Sequence, residues 1–263
     1  MIGWPIFNLD LSILNSSSAS TAGTGGNPIV ALQQAVKGQV RGIADTAKQP
    51  EVQRDIAAFR KAVTSAADPK ALLANPVARR VLMTANGLGD QTAYAALATK
   101  ALLSDPTNAK SLASTLTDTR WKSAATTLNF AKNGLTALRD PKVLDTMVNA
   151  YAEIAWRKSL DAQTPGLSDA LAFRASAATA KNVDDVLGNA TLRKVVTGAL
   201  GIPQEIALQP LDTQERAISS KLDMKRLQDP KYVDQLAQRY LLAQADKASQ
   251  TSQTSQTGQS LLI

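Results

Sequence analysis

An all-α fold is what this sequence predicts, and three observations predict it. Asn or Asp followed by proline recurs six times where a helical pattern begins. Apolar residues repeat at helical rather than alternating spacing over most of the chain. Aromatics make up only 4% of the residues while alanine is plentiful. That bias suits closely packed helices and disfavours a β-sandwich, which draws on β-branched and aromatic side chains. The expected architecture is a compact multi-helix domain built from two quasi-repeated helical modules, with disordered N- and C-terminal ends.

Taken in order, residues 1–26 read as a flexible N-terminal segment. Met1 to Leu14 carries Ile2, Trp4, Ile6, Phe7, Leu9, Leu11, Ile13 and Leu14, partly alternating with polar residues. That pattern suits a short strand or a docking segment. Ser16 to Gly26 follows as a Ser/Thr/Ala/Gly linker with too little apolar surface to fold alone.

The helical domain is expected over 27–247. At Asn27-Pro28 the side chain of Asn27 can cap a helix whose first position is proline, where a missing N–H costs nothing. The same signal returns at Asp68-Pro69, Asn75-Pro76, Asp105-Pro106, Asp140-Pro141 and Asp229-Pro230, so six of the eleven prolines mark helix starts. The predicted helices are 28–46, 50–66, 69–74, 76–86, 91–103, 107–116, 119–132, 141–160, 166–179, 183–187, 190–200, 204–208, 211–226 and 230–247.

The stretch from Ala71 to Gly89 returns in degenerate form from Asp185 to Pro203. Leu73, Asn75, Arg79, Val81, Ala85 and Gly87 recur 114 residues later as Leu187, Asn189, Arg193, Val195, Ala199 and Gly201. Ala58-Phe59-Arg60 recurs at the same offset as Ala172-Phe173-Arg174. Asn75 and Asn189 are expected to cap helices, and Gly87 and Gly201 to close them in the left-handed conformation. Leu88 and Ile202 then tuck back against the last turn. Further on, Asp118-Thr119-Arg120-Trp121 matches Asp229-Pro230-Lys231-Tyr232 at an offset of 111. This gives a module at about 50–132, a second at about 164–246, and a bridging helix at about 141–160. Ala248 to Ile263 reads as a disordered Ser/Thr/Gln tail.

The residue inventory excludes several chemistries. Cysteine and histidine are both absent, which removes disulfides, Cys/His zinc sites, thiol nucleophiles and His-based triads. No cofactor or metal is expected and no catalytic residue is assigned. No apolar run is long enough to span a bilayer. No Lys or Arg precedes Lys37, which argues against a Sec-type signal peptide.

A net charge of +7 invites an anionic partner, yet the basic residues are scattered and no run exceeds two. The duplicated basic pairs Arg79-Arg80 and Arg193-Lys194 are the candidate contacts for a partner or anion. Nucleic acid is disfavoured, because neither a dense recognition helix nor an aromatic stacking platform is present. Asp184-Asp185 lies where a helix begins, and capping explains it better than acid/base chemistry. The Gly-rich stretch at 23–26 lacks the lysine of a phosphate loop. Trp121, Trp156, Tyr151, Tyr232, Phe59 and Phe173 are spaced as core anchors.

Asp55-Ile-Ala-Ala-Phe-Arg60, the Leu72-Leu73 block ending at Gly87-Leu88, and Asp118-x-Arg-Trp121 together resemble the domain of unknown function 1217 family. Ala172-Phe173-Arg174, Leu192 to Val196 with Leu200 to Pro203, and Asp229-Pro230-Lys231-Tyr232 fit it as well. The resemblance covers about 50–245. It implies an uncharacterised helical protein of the alphaproteobacterial type, some members being encoded beside flagellar genes, and it supplies no catalytic residue. A cysteine-free chain with a flexible Ser/Thr/Ala-rich start also fits a substrate of the flagellar export channel. The expectation is a non-enzymatic structural or assembly protein of the bacterial flagellum, cytoplasmic or exported, with other proteins as partners. The alternative is a cytoplasmic anion- or nucleic-acid-binding helical module. A carboxylate-based hydrolase built on Asp184 and Asp185 ranks last.

Overall fold

A computed structural model of the protein describes residues 26–259, with side chains described over 26–250. The expectations for residues 1–25 and for Leu261-Leu262-Ile263 lie outside the described residues. In chain order the helices are α1 (Pro28–Ala47), α2 (Pro50–Ser65), α3 (Pro69–Ala74), α4 (Pro76–Ala85), α5 (Ala95–Leu102), α6 (Leu112–Thr115) and α7 (Arg120–Leu128). They continue as α8 (Phe130–Asn133), α9 (Pro141–Leu160), α10 (Leu167–Ser176), α11 (Val183–Leu187), α12 (Ala190–Ala199), α13 (Leu211–Ser219) and α14 (Pro230–Gln259). Short 3-10 turns lie at Gly89–Gln91, Ala177–Thr179, Gln204–Leu208 and Met224–Gln228, and the described residues contain no strand. The fold is all-α. The last helix runs past 247 into the Ser/Thr/Gln stretch.

Five of the six Asn/Asp-Pro steps start helices, and each carboxylate or amide does the same work. The N–H groups of Ile29, Ala71, Val77, Lys142 and Lys231 donate to Asn27, Asp68, Asn75, Asp140 and Asp229 at 2.9, 2.7, 3.0, 2.8 and 2.9 Å. Caps of this kind contribute about 1 kcal/mol each. Asp105-Pro106 is the exception. There the backbone N–H and the hydroxyl of Thr107 both donate to Asp105, at 2.8 and 2.7 Å, and the N–H of Lys110 donates to Asn108 at 2.9 Å. Two successive side-chain turns outcompete the helix, which begins only at Leu112 instead of 107. The span predicted at 119–132 is likewise interrupted by left-handed Asn129 (φ 45°). The one at 211–226 stops at Ser219 and resumes as a 3-10 turn under the Asp223 cap.

The buried apolar residues fall into two clusters. The first gathers Phe59, Leu72, Leu73, Val81, Leu82, Trp121 and Tyr151, and the second Phe173, Val186, Leu187, Val195, Val196, Tyr232 and Tyr240. Helix α9 feeds both, with Met147, Val148, Tyr151 and Ala152 in the first and Trp156 in the second. The six aromatics expected as core anchors are all buried.

Both helix stops form as expected. Gly87 and Gly201 have φ of 76° and 62°. The N–H of Leu88 donates to the Met83 carbonyl at 2.8 Å, and that of Ile202 to the Thr197 carbonyl at 2.9 Å. These are the six-to-one bonds of a Schellman cap, and Leu88 and Ile202 are buried behind them.

The pairing of helices departs from the sequence match at offset 111. Helix α14 takes the place in its cluster that α9, not α7, takes in the other. Arg60 of α2 bonds Asp145 of α9 at 2.5 Å, and Arg174 of α10 bonds Asp234 of α14 at 2.5 Å. Asp140-Pro141-Lys142, Asp145 and Tyr151 recur 89 residues later as Asp229-Pro230-Lys231, Asp234 and Tyr240. The correspondence therefore joins α2, α4 and α9 to α10, α12 and α14. It does not follow the module limits of 50–132 and 164–246.

Candidate functional site

The four basic side chains singled out by the sequence are all used within the fold. The guanidinium of Arg79 donates to the carbonyl of Leu73 at 2.9 Å, and that of Arg193 donates to the carbonyl of Leu187. Leu73 and Leu187 lie at the ends of α3 and α11, where carbonyls have lost their helical partners. Each arginine thus closes the short helix that precedes its own. Arg139 does the same for α2, donating to the Ala66 carbonyl at 2.6 Å.

Arg80 and Lys194 reach sideways instead. Arg80 of α4 pairs with Asp55 of α2 at 2.5 Å, and Lys194 of α12 pairs with Asp169 of α10 at 2.5 Å. Each carboxylate also accepts a phenol from the third helix of its set. Tyr151 donates to Asp55, and Tyr240 donates to Asp169 at 3.0 Å. Burial, and then the hydrogen bond to Asp55, push the Tyr151 phenol up to about 12. Burial and the Asp169 charge also raise Tyr240. The Asp55 hydrogen bond holds the Arg80 charge more firmly than usual. Arg79 and Arg80 of α4 bond residues of α3 and α2, whereas Arg193 and Lys194 of α12 bond residues of α11 and α10, so the two basic pairs are held by different elements.

Beside Arg80 the surface dips into a groove between α2 and α4, lined by Glu51, Arg54, Asp55, Ala58, Val77 and Arg80. Ala58 and Val77 give it apolar surface. Arg54 donates to the Pro50 carbonyl at 3.2 Å and forms no ion pair among the described residues.

Asp185 is a cap. Its own N–H donates to Asn182 at 2.8 Å while its carboxylate accepts from the N–H groups of Lys181 and Asn182, at 2.8 and 3.3 Å. Asp184 lies exposed beside Glu215, whose carboxyl it pushes up through a shared hydrogen bond. Among the described residues no group of three or more Asp or Glu side chains is placed to hold a metal ion.

Sequence reasoning missed the most heavily bonded cation of the protein. Arg120 is buried at the start of α7, and every N–H of its guanidinium is used. It grips Asp118 at 3.0 and 2.7 Å, Asp90 at 2.9 and 2.9 Å, and the carbonyl of Gly87 at 2.6 Å. Burial opposes its charge, but the bonds to Asp118 and Asp90 outweigh that and raise its pKa. Next to it, the N–H of Thr119 donates to the carbonyl of Gly188 at 2.8 Å, which ties the first set of helices to the turn between α11 and α12. The second missed feature is the segment 203–212, exposed throughout except at Ile206.

The fold and these sites define an all-α protein organised as two sets of three packed helices whose charged residues brace their own set. The chain belongs to the family described as protein of unknown function (DUF1217), whose model matches residues 85–233, more than half of its length. It is similar in fold to the X-ray crystal structure of a protein from Agrobacterium tumefaciens, with a TM-score of 0.70 and 22% identity over 85% of this chain and 96% of that one. No curated protein matches it in sequence.

Proposed function

We propose that this chain is a non-enzymatic structural or assembly protein of the bacterial flagellum, acting by contact with other proteins. The observation that carries the contact reading is the exposed segment between α12 and α13. Leu208, which ends the 3-10 turn, is 85% exposed, and Leu211, which opens α13, is 55% exposed. Two exposed leucines three residues apart cost solvation that burial against a partner recovers. The four basic candidates support the same reading from the other side, since each is already bound to a carbonyl or carboxylate of its own chain. The flagellar assignment itself rests on the family resemblance, and export through the flagellar channel on the cysteine-free composition.

Deletion of the gene tests it, read by swimming in soft agar, electron microscopy of hooks and filaments, and the distribution of the chain between cytosol and purified flagella. Impaired swimming with malformed or missing structures is expected. Normal swimming with intact hooks and filaments ends the flagellar reading.

A further inference from the structure

We propose that Asn133–Gly134 is a spontaneous modification site, at which the folded chain deamidates, and that the fold protects its other Asn-Gly step. The inference is independent of the flagellar reading. Asparagine followed by glycine occurs twice in the sequence, at Asn86-Gly87 and Asn133-Gly134. Glycine has no side chain to shield its backbone nitrogen from the neighbouring amide carbon, so the reaction depends on what else holds the two residues. At Asn86 both residues are pinned. The Asn86 side-chain amide donates to the Leu82 carbonyl at 2.8 Å and to Met147 Sδ at 3.7 Å. The N–H of Gly87 donates to the Thr84 carbonyl at 2.9 Å, and the Gly87 carbonyl accepts from Arg120 at 2.6 Å. Leu88, which follows, is fully buried.

Asn133 lacks those restraints. It is exposed, and its side chain makes no hydrogen bond among the described residues. It ends α8, a single turn of four residues set between left-handed Asn129 (φ 45°) and Gly134 (φ 53°). The N–H of Gly134 donates to the Phe130 carbonyl at 3.1 Å, and one isolated turn opens locally at little cost. Nothing lies within 4 Å of the position a Gly134 Cβ would take, so a ring has room to close there. The Gly134 nitrogen bonds to Asn133 Cγ, the Cγ–Nδ2 bond breaks, and ammonia leaves carrying the proton that the nitrogen sheds. Water then opens the cyclic imide. Cleavage between Cγ and the nitrogen leaves an aspartyl residue, and cleavage at the main-chain carbonyl leaves an isoaspartyl one. The sum is amide plus water giving acid plus ammonia, with no change of oxidation state. Either product adds a negative charge beside Lys132. The isoaspartyl form also lengthens the main chain just before Leu135, which is buried in the first core cluster.

Peptide mapping by mass spectrometry of the full chain tests this. The folded protein is aged near neutral pH in heavy-oxygen water, which labels conversion during ageing, and is then digested with trypsin in ordinary water. Cleavage after Lys132 and Arg139 isolates Asn133, and cleavage after Arg80 and Lys100 isolates Asn86. Labelled acid is expected to accumulate at Asn133 at least about tenfold faster than at Asn86. In guanidinium the two steps are expected to convert at similar rates, which assigns the contrast to the fold. Asn133→Gln, folded by circular dichroism, is expected to lose the fast conversion. Equal rates at the two steps in the folded chain, faster conversion at Asn86, a contrast undiminished in guanidinium, or an Asn133 that stays intact while the unfolded chain converts overturns the proposal.

Discussion

The phenol of Tyr240 donates to the carboxylate of Asp169 at 3.0 Å, across two helices whose sequences lie 71 residues apart. Tyr151 and Asp55 repeat that bond in the other set. Both carboxylates also hold a cation, Lys194 or Arg80, so each set of three helices is laced by one shared acceptor. A tyrosine in this position keeps its proton, because ionisation would set a phenolate against a carboxylate in a partly buried place.

The first prediction concerns alkaline stability. Tyr151 holds its proton to about 12 in the folded chain against an ordinary value of 10.0. A raised folded pKa contributes stability that is complete below the unfolded value and is lost as pH rises through the folded one. Urea unfolding is expected to show a fall in stability between pH about 10 and 12. Tyr151→Phe makes that fall shallower, and the further change Tyr240→Phe reduces it again. A wild-type curve that stays level to pH about 12 refutes it.

A second prediction tests the Arg120 clamp. Arg120→Ala removes the guanidinium donors from Asp118, Asp90 and the Gly87 carbonyl, and is expected to cost about 3 kcal/mol in chemical denaturation. Arg120→Lys recovers only part, since an ammonium lacks the planar fork that serves two carboxylates at once. Burial works to raise the Asp90 pKa, but the hydrogen bonds from Arg120 and Gln91 prevail and lower it. Stability from Asp90 is therefore present above the usual carboxylate range and disappears as pH falls through the lowered value. Asp90→Asn should be less stable than the wild type at neutral pH and converge with it in acid.

The third prediction separates two reasons for glycine. A Cβ at Gly188 would lie 2.7 Å from the Thr119 methyl, 3.0 Å from the Asp184 carbonyl oxygen and 3.1 Å from that of Thr117. Gly188→Ala must push the α6–α7 loop away and strain the Thr119 bond, at a cost of about 1–3 kcal/mol. Gly87 has open space around it but a φ of 76°, so Gly87→Ala should cost about 1 kcal/mol through backbone strain alone. Thermal unfolding of both, with amide exchange at Thr119, distinguishes them. Faster exchange is expected at Thr119 in the Gly188 variant and not in the Gly87 variant.

What sequence reasoning reached, it reached through short range. Asn75 bonds residues two and three positions ahead, and Gly87 closes a bond spanning five, so cap, stripe and stop are written within one turn or two. Asp105-Pro106 shows the limit of even that logic. Thr107 and Asn108 offered the backbone a rival set of local bonds, and a correct start signal led into turns. The recurrence of Asp140, Asp145 and Tyr151 at offset 89 was visible in the letters, but the closer-looking match at 118–121 masked it.

The sequence by itself determined the all-α class, most helix starts and stops, the buried aromatics and the absence of thiol and imidazole chemistry. Those properties depend on composition and on neighbours a few residues away. Only the tertiary structure decided that α9 and α14 are counterparts, that Arg120 joins Asp90 to Asp118, and that Arg79, Arg80, Arg193 and Lys194 serve the scaffold. The partners of Arg80, Lys194 and Arg120 lie 25 to 33 residues away in sequence, apart from Asp118. Which charge meets which is fixed by the packing of helix on helix, and no local pattern encodes that meeting.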